Sequence, residues 1–118
     1  MYRTEVVGYW PMTLFSNLES ASNIEWLGRV CNTEDRGYHT TTQMGSGHWP
    51  SEGWSRSAYI EAMLVVFGSS TVFSVPNSWE MTASYSGCYD VKKYVTTDEV
   101  PSVFYGGPGG PCCDGRCQ

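Results

Sequence analysis

Glycine, serine, threonine and aromatic residues dominate this chain, with little Lys, Leu or Ala, which favours strands and turns over helices. A polar turn is expected over 32–37, a second at Gly45-Ser46-Gly47, and the chain runs out through Gly106-Gly107-Pro108-Gly109-Gly110-Pro111. Between these breaks lie residues that suit pleated strands. Thr4 to Trp10 alternates, with Thr4, Val6, Gly8 and Trp10 on one side and Glu5, Val7 and Tyr9 on the other. Ile24 to Cys31 alternates in the same way, and Tyr38 to Met44 is Thr-rich and extended. Ser57 to Phe67 is the longest strand candidate. Its centre, Ala62 to Val66, is apolar throughout, which predicts burial on both faces; Glu61 to Leu64 also favours a helix locally. Val72 to Val75, Cys88 to Tyr94 and Val103 to Tyr105 complete the set. Helical spacing occurs once, over 11–22, where Leu14, Leu18 and Ala21 share a face behind Pro11. The expected architecture is a mainly β, antiparallel β-sandwich with one short helix near residues 11–22.

At 118 residues the length allows one domain. Charged residues make up 16%, below the roughly 25% of soluble domains, and the net charge is −5. That balance argues against a nucleic-acid surface, which needs clustered Lys and Arg. No apolar run approaches the roughly 18 residues of a membrane span. Met1-Tyr2-Arg3-Thr4-Glu5 carries no apolar signal-peptide stretch.

Three of the five cysteines, Cys112, Cys113 and Cys117, crowd the last seven residues. A zinc site there is disfavoured: no Cys-x2-Cys pair exists, and His39 and His48 are remote in sequence. A disulfide from Cys88 to Cys112 or Cys113 is expected, because adjacent cysteines bridge each other only with strain. Cys31 is then expected as a buried thiol on a strand, with Cys117 unassigned. No cofactor motif is present: the glycine-proline run lacks the Lys-Ser/Thr and following helix of a phosphate loop. No Asn-x-Ser/Thr acceptor occurs.

Five strings in order resemble one family: Val7-Gly8-Tyr9-Trp10-Pro11, Leu14-Phe15, Gln43-Met44-Gly45-Ser46-Gly47-His48-Trp49-Pro50, Cys88-Tyr89-Asp90-Val91 and Tyr105-Gly106-Gly107-Pro108-Gly109. Their order and spacing are similar to the C-terminal half of the neprosin domain, a plant family of secreted glutamic endopeptidases that cleave after proline. The resemblance spans nearly the whole chain. It implies strongly bent antiparallel sheets, a peptide substrate, a disulfide from the Cys88 position to the chain end, and a pair of catalytic glutamates in a groove. It also places Met1 in mid-domain, with the N-terminal half and one glutamate of the pair upstream. The second glutamate belongs to a Trp-Gly-Gly-Glu-Val string, which here reads Trp26-Leu27-Gly28-Arg29-Val30. Arg29 stands in the glutamate's place.

Hydrolysis by two carboxyl groups needs one ionised, to take a proton from water, and one protonated, to polarise the carbonyl and protonate the leaving nitrogen. A guanidinium is always charged and can do neither. Glu25 is the nearest stand-in. Four residues along a strand is about 13 Å, too far for the same spot. Glu34, Asp35 and Glu52 lie in polar turns, where solvated charge is the default. Gln43, Ser46, His48 and Trp49 are candidates for the wall of a groove that takes an extended peptide, with Trp49 also suited to packing. The expected function is a neprosin-like protein of impaired catalysis. The alternatives are a non-catalytic module that binds peptide or cell-wall material, and a non-functional gene fragment.

Overall fold

The computed structural model describes residues 10–17, 20–35, 38–67, 71–74, 79–95, 101–113 and 115. Five strands are present among the described residues: β1 (Ala58–Ile60), β2 (Leu64–Phe67), β3 (Thr71–Ser74), β4 (Asp90–Val95) and β5 (Pro101–Gly106). They form an antiparallel three-stranded sheet in the order β1-β5-β4 and a separate antiparallel hairpin, β2-β3. The strand-rich, antiparallel class is as the turn spacing predicts. The described strands make one three-stranded sheet and one two-stranded hairpin. Thr4 to Tyr9 and Cys117 lie outside the described residues.

β5 is the centre of the sheet, which is why its residues are buried on both faces; Ser102 has no exposed surface and Val103 and Phe104 have 4% and 6%. Register pairs Val103 with Ile60 and Lys93, and Phe104 with Tyr59 and Lys92. Period-two alternation sends the two sets to opposite faces. On one face Val103 joins Met63 and Val65 in a compact core, against which Trp26, Ile60, Trp79 and Val91 pack. On the other face Trp54 meets Tyr59, Tyr94 and Phe104 edge-on, with ring centroids 5.0, 5.1 and 5.3 Å apart. Edge-to-face contact suits the quadrupoles of aromatic rings.

Four local expectations are corrected. The helix near 11–22 shrinks to a single 3-10 turn, Met12–Leu14, closed by Leu14 N–H to Pro11 O at 3.0 Å. Leu14 and Phe15 are exposed, so the apolar stripe has nothing to pack on, and short helices depend on such packing. Ile24 to Cys31 is not a strand: it has no partner ladder among the described residues, and Ile24 and Leu27 are exposed while Trp26 and Val30 are half-buried. Cys31 is accordingly an exposed free thiol, not a buried one. Finally, the segment Ser57 to Phe67 is two strands. Ala62 takes φ 54°, a left-handed conformation that ends β1 and redirects the chain into β2. Met63 N–H donates to Pro101 O at 3.2 Å, and Ala62 N–H to Ser102 Oγ at 3.4 Å, fixing the corner against β5. Burial then alternates, with Met63 and Val65 inside and Leu64 46% exposed, so the run is not covered on both faces.

The glycine-proline run passes the sheet edge at close quarters. Met44 and Gly107 exchange backbone hydrogen bonds of 3.0 and 3.4 Å. A Cβ on Gly107 would lie 2.2 Å from Cys88 O, so only glycine lets these strands of chain touch. Cys88 and Cys113 are joined by a disulfide, resolving the choice left open between Cys112 and Cys113. Cys112 is also disulfide-bonded. Among the described residues no helix is long and apolar enough to cross a membrane.

Candidate functional site

An open cavity of about 970 Å³ lies over the Val103 face of the sheet. Its apolar floor is made by Ile60, Val65, Val91 and Val103, from β1, β2, β4 and β5, and by the indoles of Trp26 and Trp79. The irregular segment 21–32 forms one wall. That wall is where the Trp26-Leu27-Gly28-Arg29-Val30 string falls, so Glu25 and Arg29 both line the cavity. Gly28 lets this wall approach the sheet: a Cβ there would stand 2.9 Å from Met44 Sδ and 3.4 Å from the Tyr105 ring. The opposite wall carries Glu80, Tyr85, Tyr89 and Asp90.

The polar groups of the cavity are thus three carboxylates, one guanidinium, a buried imidazole and tyrosine hydroxyls. Glu25 Oε1 accepts from Asn23 Nδ2 at 2.7 Å, and Asp90 Oδ1 accepts from Val91 N–H at 2.8 Å. Among the described residues no two carboxyl groups share a hydrogen bond. Tyr89 is buried, its hydroxyl donates to Thr42 O at 2.7 Å, and burial pushes its pKa up. It holds its proton at any ordinary pH and serves as a fixed donor. Trp79 Nε1 is buried with no hydrogen-bond partner among the described residues.

The turn expected to form a groove wall is a compact unit apart from the cavity, of which only Met44 is a lining residue. Gln43 packs across it: a Cβ on Gly47 would lie 2.6 Å from the Gln43 amide. Ser46 Oγ accepts from His48 N–H at 3.4 Å. Glu52 is no free solvated charge. Its carboxylate accepts from Trp49 N–H at 2.9 Å, from His48 Nδ1 at 3.0 Å and from Arg56 at 3.2 Å. The Trp49 N–H bond leads in holding the Glu52 pKa below the usual carboxylate range, with His48 and Arg56 adding to it. Ser57 Oγ bonds Trp49 O, which closes the unit. His48 is therefore oriented by a carboxylate, but the Ser46 hydroxyl meets its backbone rather than its ring, so no Ser-His nucleophile is assembled.

Sequence reasoning did not reach His39, Glu80, Tyr85 or Asp90. His39 is 3% exposed and lies between the rings of Tyr85 and Tyr89. Nothing in its local sequence marks it, since its neighbours in space come from residues 85–89 and 110–113. Asp90 was within reach, as part of the Cys88-Tyr89-Asp90-Val91 string.

An antiparallel sheet, a glycine-rich edge strapped by Met44 and a disulfide from Cys88 to Cys113 are features that the five strings carry, and the Trp26–Val30 string walls the cavity beside them. A family model described as Neprosin matches residues 1–108, nearly the full length, so the chain belongs to the neprosin family.

Proposed function

We propose that the cavity is a cleft for an extended, proline-containing peptide, of the kind a glutamic post-proline endopeptidase uses, and that catalysis in this chain is impaired at Arg29. The observation that carries this reading is the position of Arg29 on the cavity wall, in the string where the family's catalytic glutamate is expected. The tryptophans Trp26 and Trp79 supply flat apolar surface for a proline ring, and Trp79 Nε1 supplies an N–H donor for a peptide backbone.

Cleavage requires water to add to the scissile carbonyl carbon, the C–N bond to break, and a proton to reach the leaving nitrogen. A guanidinium cannot take the water's proton, and it holds neighbouring carboxyl groups ionised, which removes the acid as well. Glu25, Glu80 and Asp90 line the same cavity without being paired through a proton. The chain is thus read as a binder of peptide that turns it over poorly. The resemblance assigns the other glutamate of the pair to the N-terminal half of a neprosin domain.

The test supplies a neprosin-type N-terminal half to this chain in one polypeptide and assays hydrolysis of a proline-containing peptide at acid pH. Arg29 protein is expected to bind the peptide and leave it intact, and Arg29→Glu is expected to cleave it after proline. Cleavage by the Arg29 protein at a rate that Arg29→Glu does not raise would defeat the assignment.

A further inference from the structure

Beside the cavity, one imidazole nitrogen of His39 and the Sγ atoms of Cys88 and Cys113 all lie within 4.8 Å of one another. Among the described residues this is the one group of three or more His, Cys, Asp or Glu side chains that converges so closely. We propose that it is a redox-gated metal site: with the disulfide reduced, Cys88, Cys113 and His39 bind a zinc-class ion, and re-oxidation of the two thiolates expels it.

Ligand chemistry and geometry agree. Thiolate and imidazole are the donors that zinc-class ions prefer. Tetrahedral bonds of about 2.3 Å to sulfur and 2.0–2.1 Å to nitrogen put ligand atoms about 3.5–3.8 Å apart, inside the span observed here. The sulfurs, about 2 Å apart while bonded, have to separate by roughly a further 2 Å, a change that side-chain rotation supplies. The Cα atoms, 4.8 Å apart, can stay where they are.

The imidazole is already set as a ligand. Its Nδ1 lies 3.0 Å from Thr40 O, which can only accept, so Nδ1 carries the hydrogen and Nε2 presents a lone pair. Nε2 has no hydrogen-bond partner among the described residues. Histidines that bind metals are commonly oriented by this same N–H to carbonyl bond. The rings of Tyr85 and Tyr89, with centroids 5.2 and 5.4 Å away, hold the imidazole in place.

The backbone that carries the ligands does not depend on the S–S bond. His39 N–H donates to Pro111 O at 3.2 Å and Gly110 N–H to Thr40 O at 3.0 Å. Gly109 N–H reaches Cys88 O at 3.4 Å, Cys113 N–H reaches Gly110 O at 3.4 Å, and Cys88 N–H reaches Tyr85 O at 2.8 Å. These bonds knit the three ligand segments together when the sulfurs part. His39, Tyr85 and Tyr89 also line the cavity, which gives an ion its way in.

The redox step balances with a dithiol reductant of the thioredoxin class. It transfers two electrons and two protons to the S–S bond, leaving two cysteine thiols, and itself becomes a disulfide. Binding of the ion then releases both thiol protons and forms two metal–sulfur bonds and one metal–nitrogen bond, with water completing four-coordination. A disulfide oxidant runs the sequence backwards.

The test uses the full chain with Cys31→Ser, Cys112→Ser and Cys117→Ser, so that Cys88 and Cys113 are the remaining thiols. The protein is reduced with a phosphine and titrated with Co²⁺, then with Zn²⁺ in competition, while far-UV circular dichroism follows the fold. The expected result is a thiolate-to-cobalt charge-transfer band with the visible bands of a tetrahedral site, present only after reduction and removed by zinc. His39→Ala should weaken cobalt binding by about tenfold or more, since even a partner that merely orients a ligand is worth that much. The proposal is overturned if no charge-transfer band forms, if His39→Ala binds as tightly as the parent, or if the band appears only where the dichroism shows an unfolded chain.

Discussion

Glu52 is a charged residue in a turn whose hydrogen bonds make it structural. Its carboxylate caps the 3-10 turn Pro50–Glu52 through Trp49 N–H and gathers His48 and Arg56. These contacts favour the ionised form, so the folded-state pKa lies below the ordinary value of 4.5. A depressed carboxylate pKa adds stability above the unfolded-state value, and that stability is lost as pH falls through the folded-state value. Glu52→Gln is therefore expected to lower the melting temperature near neutral pH, and the difference is expected to shrink as pH falls from the ordinary value of 4.5 through the lowered folded-state value, where Glu52 takes up its proton. Melting curves across that range decide it; a gap that persists unchanged in acid would mean the carboxylate's charge is not what matters. Arg29 is the contrasting case. The Trp26–Val30 string singles it out by resemblance, and it lines the cavity although its segment is not the strand that the alternation predicts. Glu52 was not readable, since a capping bond depends on where the chain turns after Pro50.

At the scale of elements, the corner between β1 and β2 explains how a single apolar run became two strands. Ala62 at φ 54° accepts a conformation that costs a non-glycine residue about 1 kcal/mol or more. The hydrogen bonds of Ala62 and Met63 to Ser102 and Pro101 hold it there. Ala62→Gly removes the left-handed penalty and is expected to raise stability by roughly 0.5–1 kcal/mol, while Ala62→Val should lower it by about 1–3 kcal/mol. Urea denaturation of the two variants measures both; a valine variant as stable as the parent would show that the corner is not strained. Gly107→Ala belongs to the same scale. Its Cβ would meet Cys88 O, a backbone atom that cannot swing aside, so loss of the Met44–Gly107 bridge and a marked fall in melting temperature are expected. Strand content, turn positions and the glycine-rich edge were legible because they follow from local residue types. The fates of 11–22 and 24–31 were not. Both carry the right periodicity, yet an amphipathic stripe needs a surface to cover and an alternating segment needs a neighbour to pair with.

For the molecule as a whole, the disulfide and the core have to be weighed together. The compact core consists of Met63, Val65 and Val103 with four partly buried neighbours, while Trp10, Leu14, Ile24 and Leu27 are left exposed. Among the described residues this apolar cluster is modest, and covalent closure adds to what it contributes. Cys88 and Cys113 are 25 residues apart, and closing a loop of that size removes chain entropy from the unfolded state worth about 3.5 kcal/mol. Cys88→Ala with Cys113→Ala is accordingly expected to lose about 3 kcal/mol, enough to move a marginal domain most of the way to unfolding. The loss should appear chiefly as a lower denaturation midpoint with little change in the folded far-UV spectrum, because the backbone bonds from Gly109, Gly110 and Cys88 remain. If the double variant keeps the parent's midpoint, the closure is not what holds the chain end to Cys88, and the hydrogen bonds between the 38–42 and 107–111 segments are sufficient by themselves.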